Sequence, residues 1–425
     1  MFFIKTIMEQ IFEEWDIYAG KKELKTRDID LQNIKKTAML KIIALTGIRR
    51  VGKTSVLILL HQFLKRQGEK VAYINLEDSR IKNNPKILEE ILKWFGDSGY
   101  LLLDEITSVS DWEGWLARNH EMLKGKLKLI VSSSRSSLVF PNKSLRGRIL
   151  TYEMYPLSFS EFLNFKKFSL EHTTIGIGKI EKEMKEYLIY GGFPETALLE
   201  NQTEKVNLLN SYFKDIIGLD VAEISNENIS TIELFGKYII EAPYFSASKC
   251  LNFFKSLGHK IAKQTLLNLE RYSQESYLFF FVPIFSRNIK DRAQYPRKAY
   301  LGDSGFMNAI SGKSDFGRLF ENIVLLELKR RTTRNKEINY WKDKKQIEAD
   351  FVIREGINVK EIIQVVYEIK EESTLQREIR GLINCAKDLS VKEGIVITKD
   401  YENKRTVDGI KIKFIPLWKW LLKIN

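Results

Sequence analysis

The sequence predicts a helix-rich α/β protein in three parts, residues 1–225, 226–303 and 304–425. Three observations lead there. From Lys41 to Pro156, short apolar runs rich in β-formers alternate with helical patterns, which implies a parallel sheet with helices on both faces. From about Asn226 to Asp303, several helical stretches precede two apolar strands, and from Ser304 onward a second α/β pattern begins.

In the first part the strands read as KIIALTG, VAYINLED, YLLLDEI, LKLIVSSS and RILTYEMYP, with a helix starting at Lys53. Past Pro156 the pattern turns helical (SFSEFLNF, IEKEMKEYLIYGGFPETALLE, KVNLLNSYFKDIIGL), as expected of a lid on the sheet domain. In the second part YLFFFVPIFSRN and RKAYLGD predict a β-hairpin, and helices followed by a hairpin suggest a winged helix-turn-helix. The third part offers the helix GRLFENIVLLELKRR, the strands EINYWKD, EADFVIRE and KEIIQVVYEIK, a helix near Leu375 to Leu389, then GIVITKD and IKFIPLWKWLLK.

Composition excludes several classes. The chain has 425 residues, 44% hydrophobic and 29% charged with eight prolines, which suits folded domains rather than disorder. Cys250 and Cys385 stand alone and the four histidines are scattered, so neither a disulfide framework nor zinc is expected. The longest apolar run, Tyr277 to Phe285, is far short of the ~20 residues a membrane helix needs. Glu9, Glu13, Glu14 and Asp16 stand where a signal peptide would be basic and then apolar, so a cytoplasmic protein is expected, without a membrane partner. The formal charge of +13 makes nucleic acid a candidate partner.

Gly47-Ile48-Arg49-Arg50-Val51-Gly52-Lys53-Thr54 fits GxxxxGK[ST] between an apolar strand and an apolar-periodic helix, the context that this phosphate-binding motif requires. Its glycines let successive N–H groups, including those of Arg49, Arg50, Val51 and Ser55, face phosphates. Lys53 is expected on the β and γ oxygens of ATP and Thr54 on Mg²⁺. Strand burial explains the leucines of Tyr100 to Glu105 but not the two acids at its end. Asp104 is the expected holder of the Mg²⁺ shell and Glu105 the residue that polarises the attacking water. Ser132 and Ser133 end the next strand, where such sheets bind ligand, and are candidate sensors of the γ-phosphate. Arg146 and Arg148, just before the last strand, are candidates to stabilise phosphate charge, within one chain or across a subunit interface; a solvated pair fits them equally well.

The run GIRRVGKT, LLLDEI, VSSSRSSLV, LRGR, YPLSFSEF and YGGFPE resembles the archaeal and bacterial AAA-type ATPases of the archaeal-ATPase group, AAA_14 with DUF4143, relatives of the STAND NTPases. The resemblance runs through the whole chain. It implies an AAA-type P-loop ATPase domain with a helical lid, then the winged helix, then a C-terminal restriction-endonuclease-like α/β domain. YGGFPE marks the family without indicating chemistry, and a turn set by two glycines and a proline is the preferred reading. In the nuclease-like pattern, Glu321 and Asp350 fit the helical Glu and the strand Asp. At the third position the register gives Gln364, while Glu368 and Lys370 restore Glu-x-Lys four residues later, so a degenerate site is the preferred reading.

Gly258 separates two helical patterns, and Lys255, His259, Lys260, Lys263 and Gln264 cluster at the start of the second, where a recognition helix meets DNA. The expected wing adds Arg287, Lys290, Arg292, Arg297 and Lys298 against Asp291 alone; solvated lysines on a packing module are the competing reading. Three functions stay open: a DNA-associated ATPase, a STAND-like nucleotide switch gating protein assembly without DNA, and an ATP-dependent nuclease. A homo-oligomer is compatible with all three.

Overall fold

Thr6 accepts the Glu9 N–H at 3.3 Å while the Glu9 carboxylate takes the Thr6 N–H at 2.9 Å, a capping box that starts α1 (Ile7–Lys21). In the computed structural model, residues 6–138, 143–171, 173–332, 335–369 and 372–424 are described. They fall into two units: Met1–Met154 with Glu275–Tyr277, and Tyr155–Gln274 with Leu278–Asn425.

In the first unit α2 (Leu31–Ala38) precedes β1 (Ile42–Gly47), α3 (Lys53–Arg66), β2 (Val71–Asn75), α4 (Ile87–Phe95), β3 (Gly99–Asp104), α5 (Trp112–Met122), β4 (Leu127–Ser133) and β5 (Ile149–Met154). All five strands are parallel, in the order β2-β3-β4-β1-β5. Strand side chains alternate between faces. Ile42, Ala44, Ile74, Leu101, Leu103 and Val131 share a core with Ile91 of α4 and Trp115 of α5. The alternate set, Ile43, Leu45, Tyr73, Leu102 and Ile130, is buried on the face that α3 covers with Val56, Leu57, Leu60 and Leu64. Each such side chain contributes about 1.5–3 kcal/mol when fully buried. Because β1 lies between β4 and β5, the connections leaving β1 and β4 diverge, and a crevice opens at their carboxyl ends.

The second unit opens with α6 (Phe159–Phe165), headed by a Ser158/Glu161 capping box, then α7 (Thr174–Tyr190), α8 (Pro194–Leu198), α9 (Gln202–Asp215) and, after a π-helical stretch Ile216–Val221, α10 (Ala222–Ser225). Next come α11 (Ile229–Glu241), β6 (Tyr244–Phe245), α12 (Ala247–Ser256), α13 (Lys263–Glu275), β7 (Phe279–Val282), α14 (Ile289–Gln294) and β8 (Arg297–Leu301). β6, β8 and β7 form an antiparallel sheet in that order. The chain continues as α15 (Gly305–Ser311), α16 (Phe316–Arg331), β9 (Lys336–Lys342), β10 (Glu348–Glu355), β11 (Asn358–Val366), α17 (Glu372–Asp388), β12 (Glu393–Thr398), β13 (Asn403–Val407), β14 (Ile410–Pro416) and α18 (Leu417–Leu422). This last sheet is mixed, ordered β13-β14-β12-β11-β10-β9.

Helices α6 to α9, expected as a lid on the first sheet, cluster instead with the second unit. The reason lies in their packing: α7 and α9 lie on α15, α7 also on α16, and α6 on α18. The YGGFPE turn belongs to this packing. Gly191 has φ +74°, and a Cβ there would fall 1.6 Å from Asp303 Oδ1. Asp303 accepts the N–H groups of Gly192 and Gly305, both at 2.8 Å. Burial pushes the Asp303 carboxyl up to about 6, although these donors and Arg330 pull the other way.

Candidate functional site

β1 delivers the chain to Gly47, where a Cβ would sit 2.2 Å from the Met154 carbonyl oxygen, so no larger residue fits. The loop turns through Arg50 at φ +70° and Gly52 at φ +99° into α3, which has no side-chain cap. The first-turn N–H groups of an uncapped helix lack intrahelical partners and face anions favourably. Lys53 is buried, and its Nζ donates to the carbonyls of Gly47 at 3.0 Å and Ile48 at 3.3 Å, with Glu105 Oε1 3.6 Å away.

Across the crevice, Thr54 Oγ1 donates to Asp104 Oδ2 at 2.6 Å and Tyr73 OH donates to the same oxygen at 2.8 Å. Ser132 Oγ donates to Asp104 Oδ1 and accepts the Glu105 N–H at 2.9 Å. Ser134 N–H donates to Glu105 Oε2 at 3.0 Å. Burial, with Glu105 adjacent, pushes the Asp104 carboxyl up, and the three hydroxyls oppose the rise. Burial and Asp104 keep the Tyr73 phenol protonated, so it remains a donor. The loop, Thr54, Asp104, Glu105 and Ser132 thus converge at one end of the sheet. A buried carboxylate and a hydroxyl are hard oxygen donors of the kind Mg²⁺ takes. Sequence reasoning missed Tyr73, whose alternation with Ile74 marks it as facing α3.

Other expected residues lie elsewhere. Ser133 points to the opposite face from Ser132 and pairs with Thr107 Oγ1 at 2.9 Å. Arg49 reaches Glu77 at 3.5 Å. Arg146 and Arg148 precede β5, which pairs with β1 in parallel from Ile42↔Ile149 to Gly47↔Met154. They are therefore at the far end of the sheet from the loop, and the expected contact with phosphate within one chain is excluded. Arg148 donates to Ser144 O at 2.9 Å and lies 3.3 Å from Glu121, whereas Arg146 is exposed.

In the second unit Lys255, His259, Lys260, Lys263 and Gln264 are exposed around the turn between α12 and α13. Arg292 is half-buried in α14. Arg297 and Lys298 do not belong to an exposed basic wing. Arg297 pairs with Glu270, and Lys298 is buried with its Nζ 2.7 Å from Glu321, 2.8 Å from Asp350 and 3.3 Å from Glu348. A register shift between β10 and β9 at Ala349/Val352 brackets Asp350, the kind of bulge that re-aims a side chain. Tyr300 donates to Glu321 at 2.5 Å, Tyr244 to Glu348, and the Val365 N–H to Asp350 at 2.8 Å. Burial disfavours the Lys298 ammonium, but Asp350 and Glu321 more than offset it and keep the ammonium charged. Burial pushes Asp350 up against the pull of Lys298, with Glu321 adding to the rise. Lys342, 3.6 Å from Glu348, joins Lys298 in offsetting the three carboxylates.

An open pocket of about 490 Å³ fronts this cluster, lined among others by Arg318, Glu321, Asp350, Gln364 and Arg377. Gln364 is buried, and among the described residues its Oε1 has no hydrogen-bond partner. β11 ends at Val366, so Glu368 lies beyond the strand that carries Gln364. Lys370 lies outside the described residues.

Comparison with known proteins finds matches along most of the chain. A family model described as an AAA domain matches residues 40–163, one described as a domain of unknown function (DUF8612) matches 181–316, and a third, a domain of unknown function (DUF4143), matches 316–420. An uncharacterized protein of Methanocaldococcus jannaschii is 33% identical, with 98% of this chain and 96% of the relative aligned. An uncharacterized protein of Haemophilus influenzae is 25% identical, covering 93% and 99%. Among solved structures, AMPPCP-bound DnaA from Aquifex aeolicus aligns with 57% of this chain and 86% of its own at 15% identity and a TM-score of 0.27, too slight a likeness to carry an argument.

Proposed function

The chain belongs to the family that joins an AAA-type ATPase domain to a C-terminal DUF4143 domain, and we propose that it binds and hydrolyses ATP with Mg²⁺ and associates with DNA. The observation that carries the nucleotide reading is the 2.6 Å contact between Thr54 and Asp104 beside the uncapped start of α3. Backbone N–H groups of Gly47 to Ser55 cradle the phosphates, and Lys53 moves from the Gly47 and Ile48 carbonyls onto the terminal phosphate oxygens. Thr54 and Asp104 would hold Mg²⁺, whose chemistry there is to offset phosphate charge. Glu105, fixed by Ser132 and Ser134, orients the attacking water and accepts its proton. Ser132 holds the two acids in register. Arg146, exposed at the far end of the sheet, serves the site of a neighbouring copy in a homo-oligomer.

The DNA reading draws support from the order helix, strand, helix, helix, strand, short helix, strand over α11 to β8, in which two helices precede a pair of antiparallel strands as in a winged helix, and from exposed Lys255, Lys260 and Lys263 beside α13. The C-terminal sheet suits a degenerate nuclease-like domain, since Lys298 occupies the centre of its acid cluster.

Measuring ATP binding and turnover with and without duplex DNA, in the natural chain and in Lys53→Ala, tests the proposal. Lys53→Ala should weaken ATP binding by about a hundredfold or more, the loss of charge-assisted bonds of about 1.5–3 kcal/mol each, while the fold persists. Unchanged affinity would sink the phosphate-loop assignment, and turnover indifferent to DNA together with no DNA binding would favour a nucleotide switch acting on proteins.

A further inference from the structure

The C-terminal mixed sheet has one face covered by α17, whose core takes in Val352, Ile362, Val396, Ile412 and Phe414. Residues of the opposite parity point away from α17, and in the lower half of the sheet they line an open concavity of about 790 Å³. Cross-strand pairing sets who stands beside whom: Lys413 of β14 is opposite Lys404 on one side and Ile395 on the other, and Lys411 is opposite Thr406 and Glu393. Lys336 at the start of β9 closes the far side, next to Glu361. Five lysines, Lys336, Lys360, Lys404, Lys411 and Lys413, line the concavity against two carboxylates, Glu361 and Glu393, whereas Arg405 stands opposite Ile412 and donates to Tyr401 OH at 2.7 Å. Glu393 faces Lys411 at 3.6 Å, and the remaining carboxylate, Glu361, is outnumbered by the other lysines of this face.

Like charges directly opposite on neighbouring strands destabilise a sheet, and Lys404 beside Lys413 is such a pair. No carboxylate among the described residues forms an ion pair with Lys336, Lys404 or Lys413. A polyanion laid across the face removes that repulsion. Among the described lining residues none is aromatic, and single-stranded nucleic acid is held by aromatic stacking platforms as well as by charge. We propose that this basic sheet face is a docking surface for the phosphate backbone of duplex DNA, contacted without base readout. The inference rests on the DNA-associated reading above but relocates the larger share of phosphate contacts from α13 to the β14-β13 edge.

Each phosphate neutralised contributes about 0.9 to the slope of log K against log salt. The full-length chain would be titrated with a short fluorescein-labelled mixed-sequence duplex over a range of salt. One variant carries Lys336→Gln, Lys404→Gln and Lys413→Gln; amides avoid setting new carboxylates beside Glu361 and Glu393. The other carries Lys260→Gln and Lys263→Gln. Thermal unfolding of both checks that the fold is intact. The sheet variant should bind at least tenfold more weakly, equally so on unrelated sequences, with a salt slope lower by about two to three units. Loss of binding only in the Lys260/Lys263 variant overturns the inference and leaves the DNA reading standing. No duplex binding by the natural chain overturns both. Tighter binding of a single strand than of the duplex overturns the choice of ligand, and so does binding to phosphatidylserine vesicles that the sheet variant loses while its duplex affinity is unchanged.

Discussion

Glu105 holds φ +53°, a backbone conformation uncommon outside glycine, and two hydrogen bonds keep it there: its N–H to Ser132 Oγ and its carboxylate to the Ser134 N–H. Strain of this kind persists where the surroundings over-determine it and where a side chain must be aimed. Glu105→Gln keeps that shape and removes the charge that takes a proton from water. ATP affinity should stay within a few fold while turnover falls about a hundredfold or more. Normal turnover with lost affinity would reverse the roles assigned to Glu105 and Lys53. Asp303 allows a second test at this scale. Its carboxyl is raised from an ordinary 3.8 to about 6, so the fold favours its protonated form. The stability this confers is fully present below about pH 4 and is lost as pH rises through 6. At 1.36 kcal/mol per unit the loss is at most about 3 kcal/mol. Denaturant unfolding of the natural chain minus that of Asp303→Asn should therefore fall between about pH 4 and 6 and be level above 7. A level difference throughout would mean that burial does not raise this carboxyl.

At the scale of elements, the first sheet was legible because its strands are apolar runs bounded by turn chemistry. KIIALTG became β1, YLLLDEI became β3 and LKLIVSSS became β4, each within a residue or two. For the arginines of LRGR, the sheet leaves two of the three expected readings, a contact across a subunit interface and a solvated pair, because in a parallel sheet the segment entering a strand and the segment leaving it sit at opposite ends. α1 lies ahead of the first strand, and its sequence signature is the Thr6/Glu9 capping box. Lys298 could not be read at all. Counting charges along the chain places it with the basic residues around it, and only the tertiary fold brings Glu321, Glu348 and Asp350 to its ammonium. That arrangement predicts the behaviour of the C-terminal sheet. Nuclease chemistry needs acids free to converge on a metal, whereas here a buried lysine is bonded among them and Gln364 is a neutral amide. Plasmid or linear DNA incubated with the protein and Mg²⁺ or Mn²⁺ should remain uncut; cleavage that disappears in Asp350→Ala would overturn the degenerate reading.

For the whole molecule, the role proposed for Arg146 implies that one copy is insufficient for fast turnover. The phosphate loop leaves the carboxyl end of β1 and Arg146 precedes the amino end of the neighbouring β5, so the six-residue strand separates them by roughly 17 Å at about 3.3 Å per residue. Of the two arginines, Arg148 is held by Ser144 and Glu121, so exposed Arg146 is the one proposed to meet another copy's terminal phosphate. An arginine supplied across an interface stabilises transition-state charge and contributes about a thousandfold or more to turnover. ATPase activity per chain should therefore rise with protein concentration until assembly is complete. Arg146→Ala should bind ATP normally yet turn over about a thousandfold more slowly. Mixing it with Glu105→Gln should restore part of the activity, because the first contributes an intact site and the second an intact arginine to their shared interface. Two inactive variants that stay inactive when mixed, alongside sedimentation showing mixed assemblies, would remove Arg146 from the reaction, and full activity of Arg146→Ala on its own would do the same.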